Sequence, residues 1–334
     1  MKGLSGLVVN QLRPVLDTYL NAAVTVVGCR AEGFNRNACE LDVVLVTNEI
    51  RPPVAIRSGD ALFDLYFMTE KEALRPRNPE VAVALAHSKP VRDTNLILST
   101  SVAANQAVFE VEARRSAQHR LTACLKSLGR SGESLVLGNS RAASYWLMSG
   151  AYDFAYAWLY SQEVAPSPSH LLWQLRGTAK GSPKSFESFS NGAGLTDASR
   201  RGCLARLEGL SLLYDLVKTR RSAIGPPGTI STDVSFQIVK RKADQLAEEI
   251  EHAESYSFLG IEVIYLLAAV SKSGDRSSLS QAGRRTLQGV LSEGGPKLLG
   301  DRLVHDLGLD RPRDEVKDSL SSLQRRVSTL ARRI

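Results

Sequence analysis

The chain is poor in cysteine and histidine, and it has no long apolar run. Four cysteines, at positions 29, 39, 124 and 203, stand among 334 residues, and none falls in a Cys-x-x-Cys pair or at a His/Cys metal spacing. That pattern carries no local metal-binding motif and reads as reduced thiols in a cytoplasmic protein. Of the five histidines, His87, His170, His252 and His305 have no partner by spacing. No apolar run approaches the roughly 18 residues a membrane helix requires. The longest, Ile261 to Val270, contains Glu262 and reads as a core helix. The first residues carry Lys2, but their apolar positions are periodic and lack the continuous apolar stretch of a secretion signal. No repeat of fixed period is found.

What is present belongs to a globular protein with no membrane partner: 43% apolar and 23% charged residues. The net charge of +7 favours anionic partners without naming one. Much of the basic excess lies in the last segment, "LQRRVSTLARRI", whose apolar spacing predicts an amphipathic helix over 313–333. The rhythm of Leu7, Val8, Leu12, Leu16 and Leu20 predicts a helix kinked near Pro14. Then come short β-branched runs, "VTVVG", "ELDVVLV" and "ALFDLYFMT", with Thr69 placed to cap a following helix. "PPVAIRSGD" reads as punctuation around a minor segment, 79–88 as a short helix, and "RDTNLIL" as an edge strand or loop. From residue 105 onward the spacing is helical: 105–129, 138–161, 168–176, 200–221, 235–254, 257–272, 278–291 and 313–333. The Gly/Ser-rich stretch 177–199 reads as a mobile loop. The expected fold is therefore α+β, with a small mixed sheet and flanking helices in residues 1–104 and an all-α domain in 105–334.

Within the first domain, strand alternation sends Glu40 and Asp42 to one face, with Cα atoms on the order of 6.5 Å apart. Two carboxylates at that spacing repel one another unless a cation or protons neutralise them, and hard oxygen ligands suit Mg²⁺. Asp64 places a charge in the middle of the next apolar strand, with Asp60 an alternative for its role. The glycine loop at Gly28-Cys29 ends one strand, and its backbone N–H groups are placed to cradle a phosphate. Taken singly, each feature has a plainer reading: a solvent-facing strand edge, a turn glycine, a satisfied structural acid.

Gly28-Cys29-Arg30-Ala31-Glu32-Gly33, then "FNRNA", then Cys39-Glu40-Leu41-Asp42 and "VVLV" run without a gap. This segment resembles the nucleotidyltransferase superfamily related to DNA polymerase β, especially its minimal and kanamycin-type members. Their signature is Gly-Ser-Arg-Ala-x-Gly, a polar stretch, then Ser-Asp-x-Asp and an apolar strand. "FDLYFMTEKEAL" is similar to their later strand and helix start, which places Asp64 as a third acid. The resemblance covers about 24–70. It implies a catalytic and metal set of Glu40, Asp42 and Asp64 holding two Mg²⁺ ions. It also implies nucleotide binding by Gly28, Cys29 and Arg30, with an NTP, ATP first, as donor. The acceptor is a small molecule, a protein or RNA, and a homo-oligomer is compatible with this reading.

Cys29 stands where the signature has Ser, and Glu40 where it has Asp. Those departures support a second reading: a catalytically impaired nucleotidyltransferase-fold protein acting in binding or regulation, antitoxin-like or RNA-binding. The aromatic residues of "SYWLMSGAYDFAYAWLYS" fall at helical spacing and read as core.

Overall fold

A computed structural model describes residues 6–32, 39–48, 51–59, 61–178, 183–221, 232–272 and 297–334. The chain divides into two compact units, Met1–Ser116 with Pro226–Ile238, and Ala117–Gly225 with Val239–Ile334. The architecture is α+β: one small mixed sheet near the N-terminus, with helices making up most of the other described residues. Among the described residues no helix is long and apolar enough to cross a membrane.

The first unit opens with α1 (Gly6–Gln11) and α2 (Arg13–Thr18), broken at Leu12. The break precedes Pro14 because proline is accepted in a helix's first turn, where no intrahelical N–H is needed. Strand β1 (Ala23–Val27) leads to the short helix α3 (Gly28–Ala31), followed by β2 (Leu41–Val46), β3 (Val54–Ser58) and β4 (Ala61–Met68). The segment read as punctuation is thus the edge strand β3. Next come α4 (Glu70–Leu74), α5 (Pro79–Ala86) and β5 (Lys89–Arg92). Thr69 caps α4 as expected, in a reciprocal box with Glu72.

The sheet order is β3-β4-β2-β1-β5, with β2 and β4 parallel and the other neighbours antiparallel. β2 is central and almost wholly buried, which is why its sequence is apolar on both faces. One face carries Val24, Val26, Leu41, Val43, Leu45, Phe63 and Leu65 against Val8, Leu12 and Val15 of the N-terminal segment. The other carries Ala23, Val27, Val44 and Val46 against Ala73, Leu85 and Leu98. Each large aliphatic side chain buried here contributes about 1.5–3 kcal/mol. Arg92 closes the corner, its guanidinium donating to the carbonyls of Ala22, Leu16 and Tyr19.

"RDTNLIL" divides differently from its reading as strand or loop. After β5 comes a 3₁₀ turn, then α6 (Ile97–Ala107), so helix begins at 97 rather than 105. The Asp93 carboxylate takes the backbone N–H groups of Leu98 and Ser99 at 2.7 and 2.8 Å, and that cap starts the helix.

Then follow α7 (Phe109–Val136), α8 (Ser140–Ser161), α9 (Leu171–Thr178), α10 (Pro183–Gly192), α11 (Arg200–Arg221), α12 (Thr232–Glu249) and α13 (His252–Lys272). The last described helices are α14 (Lys297–Asp306) and α15 (Arg313–Ala331). Helix α8 is the hub of the second unit, burying Tyr145, Tyr152, Phe154, Tyr156, Trp158 and Tyr160, so its aromatics are core as read. The stretch expected as a mobile loop holds α10, with Ser185, Ser188, Phe189 and Gly192 buried. A Cβ at Gly192 would lie 3.0 Å from that of Ala151 and 3.3 Å from Leu323. The small residues that read as loop punctuation are there to let three helices approach. The basic helix α15 is amphipathic as expected, burying Val316, Leu320, Leu323, Val327 and Leu330. The expected helix 278–291 and Asp60 lie outside the described residues.

Candidate metal centre

The centre is built by the β1–β2 hairpin and the parallel β2–β4 pair. Val27 is the last β1 residue in register, opposite Asp42, and Asp42 is itself opposite Asp64. Residues opposite one another in a ladder share a face, and Glu40 joins them by its two-residue offset from Asp42. Glu40, Asp42 and Asp64 each bring a carboxylate oxygen to within 4.8 Å of the others. Glu40 is 9% exposed and the two aspartates are half-buried. The structure therefore assembles all three acids picked from the sequence.

The turn at Gly28 is part of this arrangement. Gly28 has φ +69°, and a Cβ placed there would lie 2.4 Å from Asp42 Oδ2. Only glycine accepts both the left-handed backbone and the approach of that carboxylate. The close packing of Asp42 against the chain at Gly28 is a role for this glycine that the sequence did not reveal.

Cys29 and Arg30 follow on α3. Cys29 is buried, at 4% exposure. Arg30 reaches across the hairpin and donates to the carbonyl of Cys39, from Nη2 at 3.0 Å and Nε at 3.4 Å. Its guanidinium holds the entry to β2, immediately before Glu40. Cys39 is also buried, and its sulfur lies within 4.8 Å of that of Cys29. Nine residues lie between these cysteines in the chain, so no local motif announces the pair.

Three clustered carboxylates form an all-oxygen donor set with strong mutual repulsion, which matches a hard divalent cation. A cleft of about 430 Å³, lined by Asn21, Ala22, Ala23, Val46, Thr47 and Asn95 among others, lies at the opposite end of the sheet. Val46 is four residues beyond Asp42 along β2, on the order of 13 Å. That cleft is separate from the acids. No family model matches the chain, and no curated protein matches it at a significant level.

Proposed function

We propose that the protein is a nucleotidyltransferase that moves a nucleoside monophosphate from an NTP to an acceptor hydroxyl, with pyrophosphate leaving. The observation carrying this reading is the convergence of Glu40, Asp42 and Asp64 within 4.8 Å beside the Gly28 turn. Two Mg²⁺ ions, held by the three carboxylates, supply charge neutralisation of the transferred phosphoryl group and of the leaving pyrophosphate when bound. Glu40 and Asp42 serve as ligands, while Asp64 also accepts the proton of the acceptor hydroxyl. The backbone N–H groups at Gly28 and Cys29 orient phosphate oxygens. Arg30 acts on this site by fixing the Cys39 carbonyl and thereby the approach of Glu40.

The test is pyrophosphate release in Mg²⁺ with each of the four NTPs, over small-molecule, protein and RNA 3′-hydroxyl acceptors. Asp42→Asn is expected to abolish release with the circular dichroism spectrum unchanged. Wild-type turnover by that variant would sink the metal assignment. A second reading, a nucleotide-binding regulatory protein without transfer activity, is favoured by one observation. The Cys29 thiol is buried where the resembled signature places a serine hydroxyl. It predicts NTP binding with no pyrophosphate release from any acceptor.

A further inference from the structure

We propose that Cys29 and Cys39 form a redox modification site, oxidised by a peroxide to a disulfide that draws Glu40 out of the carboxylate cluster. The sulfurs lie within 4.8 Å of each other, both buried, at 4% and 6% exposure. A disulfide bond is about 2.05 Å long, so closing the pair asks for an approach of up to about 2.7 Å.

The two cysteines sit on the chain segments that carry the acids. Cys29 follows Gly28, whose backbone packs against Asp42 Oδ2, and Cys39 precedes Glu40. The halves of the pair differ in freedom. Cys29 lies in α3, directly after β1, and Gly28 has no room to move toward Asp42. Cys39 and Glu40 lie before β2, whose first residue, Leu41, is already in register with β4. Displacement on oxidation therefore falls on Cys39 and Glu40, and the Arg30 bond to the Cys39 carbonyl is one contact that must adjust.

The chemistry balances with hydrogen peroxide as oxidant. One sulfur attacks a peroxide oxygen, the O–O bond breaks, and a sulfenic acid forms as one water leaves. The second sulfur attacks the sulfenic sulfur, the S–O bond breaks, the S–S bond forms, and a second water leaves. The two sulfurs give up two electrons and the peroxide oxygens take them. A dithiol reverses the step by exchange.

The experiment treats the full chain with hydrogen peroxide, blocks remaining thiols, and maps the digest by mass spectrometry. The expected product is a peptide pair joining Cys29 to Cys39, lighter by two hydrogens and released by dithiothreitol. Amide exchange over residues 39–44 should quicken at least severalfold in the oxidised protein, and peroxide should leave it unchanged in Cys39→Ser. Oxidation of either cysteine without a crosslink, or a crosslink with unaltered exchange over 39–44, would overturn the proposal. Its consequence for metal binding rests on the nucleotidyltransferase reading: oxidation should weaken Mn²⁺ binding at least tenfold in wild type and leave it intact in Cys39→Ser. If the reduced protein binds no Mn²⁺ while the crosslink and the exchange change both appear, that reading fails and the redox site stands.

Discussion

Asp42 is crowded from two sides. The carboxylates of Glu40 and Asp64 lie within 4.8 Å, and the backbone of Gly28 closes on its Oδ2. Like charges held this close repel one another, and removing one of them relieves that repulsion. Asp64→Asn should therefore raise the melting temperature in EDTA, by the equivalent of about 1 kcal/mol. On the proposed metal assignment the order should reverse in millimolar Mg²⁺, because wild type would gain RT ln(1 + [Mg²⁺]/Kd) and the variant would not. Thermal unfolding with and without the ion checks both signs, and a variant less stable than wild type in EDTA would contradict the repulsion. Gly28→Ala acts through the backbone. The left-handed conformation costs an alanine about 1–2 kcal/mol, and the new methyl drives Asp42 from its place. Stability and Mn²⁺ affinity should fall together in that variant.

Helix α10 shows what sequence reading misses at the scale of elements. "SPKSFESFSNGAG" is dense in serine and glycine, and by propensity it belongs to a loop. The helix exists because Phe189 and the small faces of Ser185, Ser188 and Gly192 pack into the helical core. Its end is held from a distance of more than a hundred residues. Arg311, 7% exposed, donates to the carbonyls of Asn191 and Gly192 at 2.7 and 3.1 Å and pairs with Glu315. Arg311→Ala should cost about 2–3 kcal/mol by leaving those carbonyls unmet, measured as a lowered denaturant midpoint. The strand acids were legible for the opposite reason. Alternation with period two is local, so a strand starting at Glu40 put Glu40 and Asp42 on one face; the strand starts one residue later, at Leu41, and Glu40 still joins the cluster. The order β3-β4-β2-β1-β5, the Cys29–Cys39 approach and the Gly28–Asp42 contact depend on pairings between separate segments, which no local pattern carries.

Helices α9 and α13 meet through a buried acid that makes stability depend on pH. Glu254, 1% exposed, accepts the backbone N–H groups of Leu172 and Trp173 at 3.0 and 3.1 Å, at the start of α9. Burial pushes its carboxyl up to about 7, against the opposing pull of those N–H groups and of Arg176, with Glu251 adding to the rise. The folded protein thus keeps a proton that the unfolded chain releases near 4.5. Between pH 4.5 and 7 the native state binds more protons, so this group's contribution declines as pH rises across that window and is flat above it. The upper bound is about 3 kcal/mol. Glu254→Gln should flatten that part of the profile in urea melts collected from pH 4.5 to 8. An unchanged slope would show that Glu254 is ionised throughout.

The whole chain carries +7 while its candidate centre is a knot of carboxylates. On the nucleotidyltransferase reading proposed above, the acids require metal before a polyphosphate can settle beside them, so nucleotide and divalent ion should bind cooperatively. The two units give this a calorimetric signature. The sheet cores, built from Val24, Val43, Leu45 and Leu65 on one face and Val44, Val46 and Leu98 on the other, lie inside the first unit. The second unit has its own core around α8. Domains generally fold and unfold as units, so scanning calorimetry should resolve two transitions. MgATP at a hundredfold excess over Kd should stabilise the sheet-bearing unit by about 2.7 kcal/mol and move only its transition. Arg311→Ala should lower only the other. ATP without a divalent ion, or Mg²⁺ with Asp42→Asn, should shift the first transition far less than the complete combination. If MgATP and Arg311→Ala both moved one common transition, the two-core account of stability would fail. If ATP alone shifted the first transition as far as MgATP, the carboxylates would have no part in holding the nucleotide.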